Sequence, residues 1–161
     1  EKLTVGVGDF LAGTGFEPVL VAGRPVGILI CYEGIFPEIG RAWGRAGATL
    51  LVNVTNDAWF GMTSAPFQHL SMTVFRAVEN RLYVVRAANT GVSAIIDATG
   101  RITARTDLFV RTFLTGLVKV HRAETFYTKY GDLFVFFCMI ALLVIFYKPG
   151  GRRPWSKKFR K

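Results

Sequence analysis

The residue best suited to covalent chemistry in this sequence is Cys31, which opens the triplet Cys31-Tyr32-Glu33. It follows the apolar run 25–30, which is typical of a strand buried on both faces, and it precedes a helix whose first turn Pro37 predicts. A cysteine at a strand-to-helix junction can expose its sulfur beside backbone N–H groups that would hold an oxyanion. We therefore interpret Cys31 as a candidate nucleophile, although its position alone also suits a small buried hydrophobic residue.

A second group of candidates lies in the loop NDAWFGMTS, which begins at Asn56. Trp59 and Phe60 are large apolar side chains, and ligand-binding pockets are lined mostly by such residues. The same aromatic pair also suits a cap on the hydrophobic core. Asn53, Asn56 and Asp57 can fix this loop through hydrogen bonds from side chain to backbone.

The sequence contains two histidines, His69 and His121. His69 falls on the polar flank of a predicted helix and has no Asp or Glu at the spacing of a metal site. We predict a structural or peripheral role for His69 and no metal site. We assign no cofactor.

Alternating strands and helices must position these residues, which predicts an α/β fold with a mixed sheet. The strands are predicted at 25–30, 49–54, 83–87 and 113–120, with a hairpin formed by 93–97 and 101–104. The first helix is expected between Pro37 and Gly47, with Arg41 and Arg45 facing away from its apolar side. The second runs from the N-cap Ser64 to Asn80. Its apolar face is expected to consist of Phe67, Leu70, Ser71, Val74, Phe75 and Val78.

The segment Leu133–Tyr147 is apolar on all sides and is bracketed by tyrosines, which predicts a transmembrane helix rather than a buried core helix. Seven of the 20 Lys and Arg residues lie in the tail 148–161, which has no acidic residue. This basic tail predicts a cytoplasmic C-terminus and a folded part on the outer side of the membrane. The high net charge belongs to the tail, so we predict no nucleic-acid partner.

Three strings carry a resemblance to a known family: GILICYEGIFPE, GATLLVNVTNDAWFG and RAVENRLYVVRAANTGVSAIIDATGRI. Together they resemble the nitrilase, or carbon–nitrogen hydrolase, superfamily, and within it the apolipoprotein N-acyltransferase family. The resemblance implies a nitrilase-like αββα sandwich, present in part, with a Glu–Lys–Cys triad. Cys31 matches the nucleophile, Glu33 a further carboxylate, and Tyr32 the residue whose backbone N–H helps to bind the oxyanion. The matching Glu and Lys are expected upstream of Glu1.

The resemblance also implies an activity and a domain organisation. Residues 1–124 are expected to form the C-terminal part of the catalytic domain, 125–147 the membrane approach and transmembrane helix, and 148–161 a cytoplasmic tail. The expected location of the protein is the bacterial inner membrane. The implied reaction transfers an acyl chain from a phospholipid donor, through a Cys31 thioester, to an apolipoprotein acceptor. The sequence leaves two alternatives: a membrane-tethered amidohydrolase and an inactive nitrilase-like module.

Overall fold

The computed structural model describes residues 13–147, which form a six-stranded mixed sheet. Its strands follow the order of the chain: β1 (Val19–Val21), β2 (Arg24–Ile30), β3 (Leu50–Asn56), β4 (Val84–Asn89), β5 (Ala94–Ile96) and β6 (Ile102–Arg105). The three central strands β2, β3 and β4 run parallel, and the flanking strands pair with them antiparallel. The predicted strands 25–30, 49–54 and 83–87 and the predicted hairpin are confirmed. β1, whose three residues are exposed, was not predicted.

Two helices form the crossovers between the parallel strands: α1 (Pro37–Arg45) joins β2 to β3, and α2 (Ala65–Asn80) joins β3 to β4. They pack side by side, because Gly40 and Gly44 of α1 leave room for the side chains of Arg76 and Asn80. The core beneath them contains Leu29, Leu51, Leu70, Leu82, Val84 and Ile96. The predicted α/β fold with a mixed sheet is thus present, while the nitrilase-like αββα sandwich that the resemblance implies stays a prediction.

The predicted apolar face of α2 is largely wrong. Phe67 and Phe75 are 45% and 58% exposed, whereas His69, Thr73 and Arg76 are buried together with Leu70. The helix turns these polar side chains inward because hydrogen-bond partners lie there: Asp57 for His69, Arg86 for Thr73 and the carbonyl of Ile35 for Arg76. The predicted N-cap at Ser64 is also wrong in its chemistry, since Ser64 makes no side-chain capping bond.

The predicted strand 113–120 is wrong as well, because residues 106–125 contain no helix or strand. Phe113 and Leu117 are 86% and 96% exposed, and Gly116 approaches the side chain of Ile95 closely. An alternating apolar pattern becomes a strand only where a neighbouring strand can complete its backbone hydrogen bonds. This segment instead crosses β5.

The chain then forms the short helix α3 (Phe126–Tyr130) and the helix α4 (Leu133–Tyr147). Arg41 does not simply face away from the core: its guanidinium donates to the carbonyls of Tyr127, Thr128 and Lys129 at 2.9–3.1 Å. α4 has the predicted bounds, and its apolar side chains are exposed on all sides. Within residues 13–147, no helix is both long and apolar enough to cross a membrane. The basic tail 148–161 lies outside the described residues.

Candidate active site

Cys31 is the first residue of a short 3-10 helix, Cys31–Ile35, which follows β2 directly and is called here the Cys31 turn. Its backbone has a φ of +50°, in the left-handed region. This conformation costs an L-residue roughly 1–2 kcal/mol, so surrounding contacts must hold it in place. Cys31 is partly exposed and has no disulfide partner. A sharp turn at the carboxyl end of a parallel strand presents a side chain at the edge of the sheet, as a nucleophile requires.

Glu33 closes the Cys31 turn from within. Its Oε2 accepts a hydrogen bond of 2.7 Å from the backbone N–H of Ile30, the last residue of β2. Glu33 thus links the end of the strand to the turn and influences where Cys31 points, while its match to a further family carboxylate stays a prediction.

Asn53 on β3 supports the Cys31 turn from the neighbouring strand. It is fully buried, and its Nδ2 donates to the carbonyls of Leu29 at 3.0 Å and of Cys31 at 3.2 Å. The expectation that Asn53 fixes the 56–64 loop is wrong, because its Nδ2 hydrogen bonds go to the carboxyl end of β2 and to the Cys31 turn. Asn56 does fix that loop: its Oδ1 accepts from the backbone N–H of Ala58 at 3.2 Å.

Beneath the turn lies a buried polar network around Arg86 on β4, called here the Arg86 cluster; its members are Asn53, Thr55, Asp57, His69, Thr73 and Arg86. Arg86 is 2% exposed and donates to the carboxylate of Asp57 at 2.7 Å. It also donates to Asn53 Oδ1 and to Thr73 Oγ1. The side chain of Asp57 was expected to bind the loop backbone, but in the structure it binds this network. Burial lowers the pKa of Arg86, and the charge of Asp57 opposes that effect.

The sequence placed His69 on a polar flank of the helix, but this placement is wrong. His69 is 3% exposed and belongs to the Arg86 cluster. Its Nδ1 lies 3.0 Å from Asp57 Oδ1, and its Nε2 lies 3.3 Å from the carbonyl oxygen of Cys31. Burial and then the positive charge of Arg86 lower the pKa of His69, which favours the neutral ring. A neutral imidazole carries one N–H, so it donates to only one of these two oxygens.

Aromatic residues form the solvent side of the site. The ring of Tyr32 is tilted against that of His69 at 5.7 Å between centroids, and Phe60 meets His69 edge-on at 5.9 Å. Both rings line a cavity of about 70 Å³, together with Ile35, Ala65, Gln68, His69 and Met72. Tyr32 and Ile35 of the Cys31 turn form one side of this cavity, while the expected contact of Phe60 with substrate stays a prediction.

Trp59 differs from Phe60 although the two are adjacent in sequence. It is 71% exposed and does not line the cavity. The indole is therefore not part of the hydrophobic core, while its expected contact with substrate stays a prediction.

Sequence reasoning missed the importance of Asp57, His69 and Arg86. One signal could have revealed the network: Arg86 interrupts the apolar strand around 83–87, and a charge in a buried strand requires a partner. Gly91 lies against the same network, because a Cβ there would collide with the Asp57 carboxylate. The strings NDAWFG and RAANTG therefore meet in space.

Comparisons with known proteins agree with this geometry. The carbon-nitrogen hydrolase family model matches residues 2–127. An apolipoprotein N-acyltransferase of Geobacter metallireducens is 53% identical over 145 residues, which are 90% of this chain and 28% of that protein. One from Thermotoga maritima is 40% identical over 147 residues, which are 86% of this chain and 29% of that protein. This chain thus spans less than a third of the length of these relatives.

Among solved structures, a carbon-nitrogen hydrolase from Helicobacter pylori G27 superposes with a TM-score of 0.53 at 18% identity. The match covers 60% of this chain and 41% of the other, and at that identity it supports the fold alone. The family match over residues 2–127, however, covers most of the sequence. This chain therefore belongs to the carbon–nitrogen hydrolase family.

Proposed function

We propose that this chain is the part of an apolipoprotein N-acyltransferase that carries the nucleophile, and that Cys31 is that nucleophile. The observation that carries the proposal is the left-handed turn that places Cys31 at the carboxyl end of the parallel strand β2. The 53% identity to the relative from Geobacter metallireducens supports the reaction class. Relatives of that name act as acyltransferases, and their name implies a lipoprotein acceptor.

In the first half-reaction the Cys31 thiolate attacks the ester carbonyl of a phospholipid. The C–S bond forms, the ester C–O bond breaks, and the lysophospholipid oxygen leaves with a proton. The products are an acyl thioester on Cys31 and a lysophospholipid. The backbone N–H of Tyr32 helps to hold the oxyanion of the tetrahedral intermediate.

In the second half-reaction the N-terminal α-amino group of a diacylglyceryl-cysteine apolipoprotein attacks the thioester carbonyl. The C–N bond forms, the C–S bond breaks, and the amine loses a proton, so that the amide and the free thiol result. A Glu and a Lys from the Glu–Lys–Cys triad supply the base and the second oxyanion contact. We place both in the part of the protein that precedes this chain.

The exposed apolar side chains of the helix α4 support the proposal that the substrate is borne by lipid. Its side chains are exposed on every side, with Phe134 and Phe146 at 72% and 84% exposed, and such a surface is stable in lipid rather than in water. We propose that α4, together with residues that flank it because its 15 residues are fewer than the roughly 20 of a spanning helix, holds the catalytic domain at the bacterial inner membrane. The domain then lies on the periplasmic side and the tail 148–161 in the cytoplasm. Confinement to the membrane brings two lipid-anchored substrates to Cys31 in a fixed orientation.

The test is substitution of Cys31 in the intact protein. Cys31→Ala should abolish N-acylation of an apolipoprotein by phospholipid, whereas Cys138→Ala, which changes the exposed cysteine of α4, should keep the activity of the wild type. Mass spectrometry after incubation with phospholipid should find a fatty-acyl group on Cys31. Full activity of Cys31→Ala would refute the proposal.

The same assay distinguishes the alternatives. An adduct that forms only with small soluble amides would indicate a tethered amidohydrolase instead. Absence of any adduct on Cys31 in the intact, folded protein would indicate a nitrilase-like module without activity.

A further inference from the structure

Leu29, Asn53 and Arg86 lie in one row across the three parallel strands. Leu29 pairs with Asn53 between β2 and β3, and Asn53 pairs with Arg86 between β3 and β4. All three are at most 2% exposed. A buried amide in such a row must satisfy one acceptor and two donor hydrogens inside the protein.

The orientation of the Asn53 amide is fixed by chemistry. Arg86 has only donors, so the atom of Asn53 that faces the guanidinium must be the oxygen Oδ1. The nitrogen Nδ2 therefore faces β2, where its two hydrogens go to the carbonyls of Leu29 and Cys31. These two carbonyls lie on either side of Ile30, where the extended strand changes into the left-handed Cys31 turn.

We infer that Asn53 is a positioning residue that holds Cys31 in its reactive conformation, with Arg86 fixing the direction of its amide. The inference rests on the proposed function of Cys31 and goes beyond it, because it makes a residue on another strand responsible for the orientation of the thiol. Asn53 is fully buried, and its hydrogen bonds to the Cys31 turn go to the backbone.

The packing around the turn agrees with this role. Gly34 sits on the amide so closely that a Cβ there would lie 3.2 Å from Asn53 Nδ2 and 3.1 Å from Thr73 Oγ1. The left-handed backbone of Cys31 is thus held by side-chain donors from below and by the Glu33 carboxylate from within the turn. Loss of the Nδ2 donors would let the turn relax toward an ordinary conformation and move the sulfur.

The test uses Asn53→Asp in the intact protein carrying Cys138→Ala, so that Cys31 is the one cysteine of this chain that reagents can label. Aspartate has the same shape and keeps an acceptor for Arg86, but it presents an oxygen to the two carbonyls instead of a donor. We expect kcat for apolipoprotein acylation to fall at least tenfold with KM within twofold. The rate of Cys31 alkylation by iodoacetamide should fall at least fivefold.

Thr49→Val is the matched control, because Thr49 directly precedes β3 and its hydroxyl also donates to a backbone carbonyl of β2, that of Pro25 at 2.9 Å, at the end of the strands away from the Cys31 turn. It should change both rates less than twofold at a temperature where circular dichroism shows both variants folded. If Asn53→Asp does not fold, Asn53→Ser, which removes the amide without adding a charge, is measured instead.

Rates for the Asn53 variant within twofold of the wild type would overturn the inference, as would an equal loss in Thr49→Val. Activity of Cys31→Ala would instead overturn the proposed function. The two failures are therefore distinguishable.

Discussion

Arg86 and Asp57 form an ion pair of 2.7 Å in which neither side chain is reached by solvent. The pair joins β4 to the residue that follows β3, and it supports the Cys31 turn through Asn53 and His69. A buried charge that loses its partner destabilises a protein far more than an intact pair stabilises it. The Arg86 cluster is therefore the part of the site where single substitutions have the largest structural effect.

Arg86→Met should lower the free energy of unfolding by about 3–5 kcal/mol, because it leaves the Asp57 carboxylate buried without its cation. Urea titration of the intact protein followed by tryptophan fluorescence measures this change. The double variant Arg86→Met with Asp57→Asn should recover part of the loss, since no charge then stays buried. A double variant less stable than the single one would contradict this explanation.

Glu33→Ala should weaken the closure of the Cys31 turn by about 1 kcal/mol, the typical value of a side chain that caps a backbone N–H. We expect acylation to fall at least fivefold. Glu33→Gln keeps an acceptor for the Ile30 N–H and should retain most of the activity. Glu38→Ala, which removes an exposed carboxylate from the first turn of α1, is the control. Equal losses in Glu33→Gln and Glu33→Ala would show that the charge of Glu33 matters more than its hydrogen bond.

The stability of the protein should fall in mild acid because of His69. Its pKa is lowered in the folded state by burial and by Arg86, so the unfolded state binds more protons as the pH falls below about 6.5. The stabilisation is fully present above that pH and is lost as the pH falls through the folded pKa. Asp57, Arg86 and the Cys31 carbonyl are the polar groups that face the ring.

The temperature of half-unfolding, measured between pH 7.5 and 5, checks this prediction. His69→Gln should flatten the dependence on pH in that range. His121→Gln, at an exposed position in 106–125, should leave it as in the wild type. An unchanged slope in His69→Gln would mean that another group causes the acid sensitivity.

Arg41→Ala should loosen the junction between α1 and α3, because the guanidinium binds three consecutive carbonyls at the end of α3. Loss of these partly exposed hydrogen bonds should lower the free energy of local unfolding by about 1–2 kcal/mol. The population of the locally unfolded state then rises roughly five- to thirty-fold. Hydrogen exchange of the amides in 125–131 measures it. Arg45→Ala, an exposed arginine one turn later on α1, should have no such effect.

The sequence predicted those elements whose signals are local. Apolar runs gave β2, β3 and β4, and the first helix ends as predicted, with Gly47 at a φ of +89°. β1 was missed because three exposed residues give no pattern of burial. The strand 113–120 failed because its apolar pattern has no neighbouring strand to pair with among the described residues.

The candidate site was predictable only at its surface. Cys31, Tyr32 and Glu33 form a contiguous motif, and the structure puts Phe60 beside them. Asp57 and Arg86 are 29 residues apart, so only the parallel pairing of β3 and β4 brings them together. The face of α2 was misjudged for the same reason: His69 and Thr73 count as outward by periodicity until partners from the sheet are known.

The agreement between strand order and chain order has a consequence for biosynthesis. Each strand of the sheet can join the edge left by the preceding one as the polypeptide leaves the ribosome, without waiting for a distant partner. The amide of Asn53, however, acquires its orienting guanidinium only when β4 has emerged. A nascent chain that ends before Arg86 would contain the proposed nucleophile in an immature form, so the Cys31 turn takes its final shape only after β4 has been made.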